Sequence, residues 1–373
     1  MQKLSDLKTT ALDASASTCW VHWGRTGGGP RFLLELIEGD LLNTGATLLS
    51  YNPDAEIAPR LETLPVPSIT IPTYNSNLGV ILGLPRLAFN ALRMRRWLRA
   101  HNVKRVVGVM ESVYQSLALP LLVPRSVEYV ACIHDGEHHP GESNFVQRLG
   151  RIIELKFADR LATFSPAVRE VLKQQSQKKI TVGSHPPFGH RTDGVPARQF
   201  PTGRPFIFGM FGRLQKYKGV ELLLQAAEIL RSDPQVPEFQ VRIIGFGPEE
   251  HLKVSPLGNQ AEWDIRWIPE DEVDSLVNSF DAMILPYTSA SQSGPITLAK
   301  ANAIPCVVTP VGALPSQADG FGAVATETSP LAVAEAMRSV LQPEIYDGLS
   351  AAAVEQLRTS QTWAQLAELI REG

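Results

Sequence analysis

Residues 206–219 read FIFGMFGRLQKYKG. An apolar run of strand length ends at Phe211, Gly212-Arg213 turn the chain, and Lys218-Gly219 stand ahead of a segment with helical apolar spacing up to Arg231. Strand, glycine turn and helix in that order open a βαβ unit, whose ligands collect at the carboxyl ends of the strands. The pattern repeats downstream, with strands expected at 241–245, 265–268, 282–285, 306–309 and 323–326 and helices at 270–279, 295–302 and 331–341. Glycine and proline punctuate the joins, as in Gly245-Phe246-Gly247-Pro248 and Gln292-Ser293-Gly294-Pro295.

Upstream the alternation is the same. A short apolar strand at 18–23 runs into Gly24-Arg25-Thr26-Gly27-Gly28-Gly29-Pro30, and helical spacing follows over 32–42. Strands are expected at 46–51, 68–72, 106–110, 128–134 and 180–182, with helices at 84–101 and 144–161. Strands alternating with helices predict an α/β protein with mostly parallel sheets covered on both faces. Residues 186–205 are proline-rich without apolar periodicity and read as a linker. The expected division is therefore 1–185, with a loose polar arm at 1–16, then 206–345, then a helical tail at 346–373. A chain of 373 residues is long enough for two domains, each with its own core.

Composition narrows the function classes. Hydrophobic residues at 44% and charged residues at 20% are those of a soluble globular protein, and a formal charge of −3 gives no reason to expect nucleic acid as a partner. Cys19, Cys132 and Cys306 each lie in an apolar run without CxxC spacing, which predicts buried, inert thiols and a reducing compartment. No basic segment followed by an apolar core opens the chain, and no apolar run approaches membrane-spanning length, so the expected location is the cytoplasm.

The uninterrupted Gly-Arg-Leu-x-x-Tyr-Lys-Gly pattern at 212–219, the Gln-Ser-Gly turn at 292–294 and the run 305–312 together resemble the donor-binding domain of the retaining glycosyltransferases with the GT-B fold. Within that family, also called glycosyl transferases group 1, the likeness is to lipopolysaccharide and exopolysaccharide mannosyltransferase-like members. The resemblance implies two Rossmann-like domains with parallel sheets facing across a cleft and a C-terminal helix crossing back to the first domain. It implies a nucleoside diphosphate sugar as co-substrate, a saccharide or lipid-linked acceptor, and no protein-bound metal. One departure stands out. Leu298 and Ala290 occupy the positions of the family's paired glutamates, so the carboxylate that usually binds the ribose hydroxyls is missing.

Arg213 and Lys218 put two cations where a diphosphate would sit and where its charge would grow as a sugar leaves. Two solvated cations on a loop are the plainer alternative. A Ser-Gly-Pro turn before an apolar helix leaves the first backbone amides aimed at an anion, so Gln292, Ser293 and Gly294 join Gly212 as candidate phosphate or sugar contacts, beside the simpler role of a helix start. Gly247 is a candidate for close backbone approach or a tight turn. By the resemblance, Ile268 lies where a nucleobase meets the backbone. Gly28 and Gly29 lack the Gly-x-Gly-x-x-Gly spacing and the later acidic residue of a dinucleotide site; the resemblance instead implies helix amides approaching a donor phosphate.

The segment IHDGEHHPGE at 133–142 is the densest polar cluster. A loop-borne metal set and simple loop capping are both open on residue types alone; the resemblance implies that His134 contacts the sugar hydroxyls and Asp135 orients the sugar or the acceptor. Finally, 84–105 carries Arg86, Arg93, Arg95, Arg96, Arg99, Lys104 and Arg105 with no acidic residue. That describes either a solvated basic face or an amphipathic surface for anionic lipid, placing the protein peripherally on the inner face of the plasma membrane. The functional expectation is a retaining glycosyltransferase moving a hexose-type sugar. Its rivals are an epimerase or hydrolase of nucleotide sugars on the same fold, and a catalytically silent binding protein.

Overall fold

The computed structural model describes residues 17–43, 46–73, 84–136, 145–189, 194–290 and 292–373, with backbone only for 84–88. They divide into two compact units. The first holds the chain up to Gly136, the stretch ending at Ser184, and the tail Gln361–Gly373; the second is formed by His185–Ser360.

In the first unit, β1 (Thr18–His22), β2 (Thr47–Tyr51), β3 (Ser68–Thr70), β4 (Arg105–Gly108), β5 (Glu128–Ile133), β6 (Arg160–Thr163) and β7 (Ile180–Val182) form a parallel sheet in the order β3-β2-β1-β4-β5-β6-β7. In the second, β8 (Phe206–Phe211), β9 (Phe239–Gly245), β10 (Glu262–Ile265), β11 (Ala282–Leu285), β12 (Cys306–Val308) and β13 (Gly322–Val324) pair in parallel as β10-β9-β8-β11-β12-β13. β1, β2, β11 and β12 are buried along their whole length, which is why they read as continuous apolar runs rather than alternating ones. Each order reverses once, between β1 and β4 and between β8 and β11, and such reversals open the crevices where α/β sheets take ligands.

Two expectations require correction. The helix expected over 144–161 stops at Phe157, and β6 follows at once; RLAT extends the apolar helical spacing, and four buried residues carry too little periodicity to show the switch. The strand expected at 265–268 lies instead at Glu262–Ile265, an edge strand that its exposed Glu262 and half-buried Asp264 hid. Helices Val113–Leu122 and Pro166–Gln175 also escaped the sequence reading, although the second begins on a legible signal: Ser165 Oγ accepts from the Ala167 amide at 3.2 Å and Pro166 takes the first helical position.

The tail helix Trp363–Glu372 starts on a capping box between Thr362 and Gln365 and packs on helix Gly28–Leu41. A Cβ at Gly39 would fall 2.6 Å from the Trp363 backbone, so the two helices meet at that glycine. Arg160 donates to the carbonyls of Ile370 (2.6 Å) and Arg371 (3.0 Å) and closes the tail helix at its C-terminus. All three cysteines are buried, and burial pushes each thiol up. No helix among the described residues is long and apolar enough to cross a membrane.

Candidate functional site

In the second unit, the loops leaving β8, β9, β11 and β12 are locked together through backbone contacts. Gly219, at φ 72°, lies so close to the chain after β11 that a Cβ would sit 1.9 Å from the Pro286 carbonyl oxygen. Gly245, at φ 141°, would put one 1.8 Å from the Gly212 oxygen. Neither position tolerates a side chain. The Thr288 amide donates to Tyr217 O (2.8 Å), the Leu214 amide to Phe246 O (2.8 Å) and the Glu249 amide to Leu214 O (3.0 Å). Gly247 packs on the Leu214 carbonyl in the same way, just ahead of the 3₁₀ turn Pro248–Val254. The turn carrying Arg213 and Lys218 is thereby fixed before any ligand arrives.

Two sequence-predicted candidates, Lys218 and Ser293, meet at one residue that the sequence reading did not single out, Tyr287. The Lys218 ammonium lies 4.0 Å from the centre of its ring and 5.1 Å from that of Tyr217. The Tyr287 hydroxyl is 3.2 Å from Ser293 Oγ. Burial raises the Tyr287 phenol, while the Ser293 hydrogen bond and the charge of Arg213 pull the other way, so Arg213 acts on the same group. Gly212 approaches the start of the next helix, with its would-be Cβ 3.7 Å from Pro295 Cγ. The signal for Tyr287 was its position two residues beyond an apolar strand, at the carboxyl end where ligands bind.

Helix Gly294–Ala301 begins at a glycine that faces open space. Ser293 occupies the N-cap position without capping: its hydroxyl pairs with Tyr287, and its amide donates to Gln317 Oε1 at 2.9 Å. Gln317 Nε2 in turn donates to the Ser293 carbonyl at 3.3 Å, so a glutamine 24 residues away sets the turn. Gln292 is 7% exposed, and its buried Nε2 has no hydrogen-bond partner among the described residues. An unmet buried donor costs about 1–3 kcal/mol, which a ligand oxygen would recover. Leu298 is buried in the helix, and Ala290 O lies against Gly312, so neither position offers a ribose contact through a side-chain oxygen. Beside Gly245 and Gly247, the half-exposed rings of Phe246 and Trp267 stand 5.3 Å apart, next to the nearly buried Ile268.

In the first unit, the β1/β4 reversal is occupied by His22, whose Nδ1 lies 3.3 Å from Met110 O. Burial lowers this imidazole to about 4, so it is neutral at pH 7. Gly24 and Gly29 wrap its ring, with would-be Cβ atoms 2.3 and 2.4 Å from Nε2, while Gly28 faces open space at the start of helix Gly28–Leu41. His134 and Asp135 leave β5 as a pair, Nδ1 to Oδ1 3.2 Å, both half-buried. Their loop is held by Arg151, which donates to the carbonyls of Asp135 (2.7 Å) and Gly136 (3.2 Å) while its Nε and Nη2 grip both oxygens of Glu111. His138, His139 and the carboxylates around them lie outside the described residues; among the described residues no group of three or more His, Cys, Asp or Glu could hold a metal.

Beneath Arg151 lies Glu154, 1% exposed, which accepts from Tyr129 Oη at 3.3 Å. Burial first, then repulsion from Glu111, pushes its carboxyl up to about 8 from 4.5. A folded-state value above the unfolded one favours folding fully below pH 4.5, and that contribution is lost as pH rises through about 8. Glu154→Gln keeps a neutral side chain of the same shape, so its melting temperature relative to wild type should rise steadily between about pH 5 and pH 8.5. A difference independent of pH would contradict a buried, protonated Glu154.

Residues 205–343 match the family described as Glycosyl transferases group 1. No curated protein is matched by the sequence. Among solved structures, the chain resembles Anabaena HepE in complex with UDP-glucose (TM-score 0.70, 15% identity, 95% of this chain and 98% of that one). It also resembles sucrose-phosphate synthase from Thermosynechococcus elongatus (0.67, 15%, 95% and 96%). A third likeness is to WaaG, a glycosyltransferase involved in lipopolysaccharide biosynthesis (0.63, 16%, 95% and 100%). The fold is that of the GT-B proteins, as the resemblance implied.

Proposed function

We propose that this chain is a retaining glycosyltransferase that moves a hexose-type sugar from a nucleoside diphosphate to a hydroxyl of a saccharide or lipid-linked saccharide. The observation that carries this reading is the convergence of Lys218 and Ser293 on Tyr287 at the β8/β11 reversal, with Arg213 on the same backbone-locked turn as Lys218, beside a helix that opens at a glycine facing open space. Two cations and a helix start are what a diphosphate requires. The glycosyl transferases group 1 match over 205–343 supports the same assignment.

In this reading, Arg213 and Lys218 bind the diphosphate and stabilise the charge it gains as the bond from the anomeric carbon to its oxygen breaks. The acceptor oxygen bonds to the same face of that carbon and its proton passes to the departing phosphate oxygen. Gln292 Nε2 meets a phosphate or sugar oxygen. The base lies by Phe246, Trp267 and Ile268, with ribose held by backbone groups because Leu298 offers no acceptor. Within the first unit, the candidates are Gly28 and Gly29 as amide donors to a phosphate, and His134 and Asp135, positioned by Arg151, as contacts for sugar or acceptor hydroxyls. No step calls for a metal.

A thermal-shift screen of nucleoside diphosphates and their sugars tests the reading, starting with uridine diphosphate because HepE binds UDP-glucose. At 100 times its dissociation constant a ligand adds about 2.7 kcal/mol of stability, several degrees of melting temperature. Absence of a shift with every nucleoside diphosphate would contradict the donor site. Leu298 and Ala290 favour one other reading, binding without turnover; it predicts the shift without any transfer to saccharide or lipid acceptors.

A further inference from the structure

Ser293 is held at its amide, its carbonyl and its hydroxyl, and the first two holds come from one side chain, Gln317. Gln317 lies in the short helix Leu314–Ala318, formed after β12, while Ser293 belongs to the turn after β11. Its carboxamide meets the backbone edge-on: Oε1 accepts from the Ser293 amide at 2.9 Å and Nε2 donates to the Ser293 carbonyl at 3.3 Å. The hydroxyl pairs with Tyr287 at 3.2 Å. Gln317 is itself fixed, since its own amide donates to Ala313 O at 2.9 Å and Leu314 and Ala318 on the same helix are fully buried. The loops after β11 and β12 touch again at Gly312, whose would-be Cβ falls 1.6 Å from Ala290 O.

This clamp decides which groups of the turn face a ligand. Across a trans peptide the C=O and the N–H point in opposite directions. With the Ser293 carbonyl turned to Gln317, the Gly294 N–H of the same peptide points away from it, out of a helix start whose next residue, Pro295, has no N–H to offer. Gly294 faces open space. On the other side of Ser293, Gln292 buries an Nε2 that has no partner among the described residues.

We infer that Gln317 is a positioning residue for the diphosphate site: it fixes Ser293 as a strut, so that ligand oxygens are met by the Gly294 amide and Gln292 Nε2 on either side of it. The inference rests on the diphosphate reading given above and adds to it a side chain that acts through Ser293 alone. Its effect is pre-organisation. Without the clamp, the turn is ordered only as the ligand binds, and that ordering is taken from the affinity.

Two measurements on the full chain test it. Without ligand, hydrogen–deuterium exchange read at the Ser293 amide should be about tenfold faster in Gln317→Met, which keeps the length of the side chain and lacks the carboxamide. In calorimetric titration, uridine diphosphate should bind Gln317→Met about tenfold more weakly than wild type at every pH, with a melting temperature within about 3 °C. Gln317→Glu separates the clamp from the bulk of the side chain. Its protonated carboxyl accepts from the Ser293 amide and donates to the Ser293 carbonyl as the carboxamide does; once ionised, above an ordinary value of about 4.3, it can only accept. Its affinity relative to wild type at the same pH should be within about threefold at pH 4.5 and fall tenfold or more by pH 7.5, a ratio that cancels the titration of the diphosphate itself. Unchanged Ser293 exchange in Gln317→Met, or wild-type affinity in both folded variants, would overturn the inference. So would a loss confined to Gln317→Glu, which marks charge repulsion, or a deficit of Gln317→Glu that is the same at every pH, which marks packing. Wild type that binds no nucleoside diphosphate would strike the reading of the site and with it the ligand half of the inference, while the exchange measurement decides the clamp by itself.

Discussion

Arg213→Ala should lower turnover by about two to three orders of magnitude while leaving the melting temperature nearly unchanged. Arg213 is exposed on a turn whose path is set by backbone contacts at Gly212 and Gly245, so its side chain adds little to the fold. Exposed substitutions of this kind stay within about 0.5 kcal/mol of wild type. Its expected contribution is to the diphosphate charge that grows as the sugar leaves, and removing one such contact costs roughly 3–4 kcal/mol of barrier. The loss should fall more on kcat than on donor affinity, because the interaction strengthens in the transition state. Lys218→Ala should have a similar effect on rate with a larger one on stability, since its ammonium also sits over Tyr287. Arg213→Lys should restore only part of the rate, because a point charge replaces a planar fork of donors. Turnover within threefold of wild type in Arg213→Ala would remove Arg213 from the mechanism.

The second large effect is on folding. Asp40 is fully buried, and its Oδ2 accepts from Trp20 Nε1 (2.7 Å), Thr47 Oγ1 (2.6 Å) and Arg371 Nη2. Arg371 belongs to the tail helix and is itself buried, so this carboxylate joins that helix to the first sheet. In Asp40→Ala the guanidinium stays buried without its counter-ion and the Trp20 N–H loses its acceptor. Breaking such a pair from one side costs about 3–5 kcal/mol, or roughly 10 °C for a unit of this size. Replacing both partners, Asp40→Leu with Arg371→Met, should cost less than the single change, since no charge is then stranded. A melting temperature for Asp40→Ala within about 2 °C of wild type would show that the pair does not hold the tail in place.

Much of the second unit was legible in sequence because its strands are buried runs separated by glycines with a backbone purpose. FIFGMF, AMIL and CVV each fall in the strand expected of them, and Gly219 and Gly245 stand where loops press against neighbouring carbonyls. RLAT at 160–163 was not legible, since four residues continuing a helical spacing carry no break. For the site, sequence motifs supplied Arg213, Lys218 and Ser293 but not what joins them. Tyr287 lies 69 residues beyond Lys218, a pairing that exists only once β8 and β11 lie beside each other. Gln317 on Ser293, and the Glu111–Arg151 grip on the His134 loop, are long-range in the same sense. His22 could have been suspected, since a histidine at the end of an apolar strand and two residues before a glycine turn has little room to reach solvent.

Arg213 and Lys218 are proposed to hold a nucleoside diphosphate in the β8/β11 crevice of the second unit. Calorimetric titration of uridine diphosphate into wild type and into the Arg213→Ala, Lys218→Ala double variant tests it most directly. One saturable site in wild type, weakened at least a hundredfold in a double variant that remains folded, is the predicted result. Equal affinity in the two proteins would contradict the account.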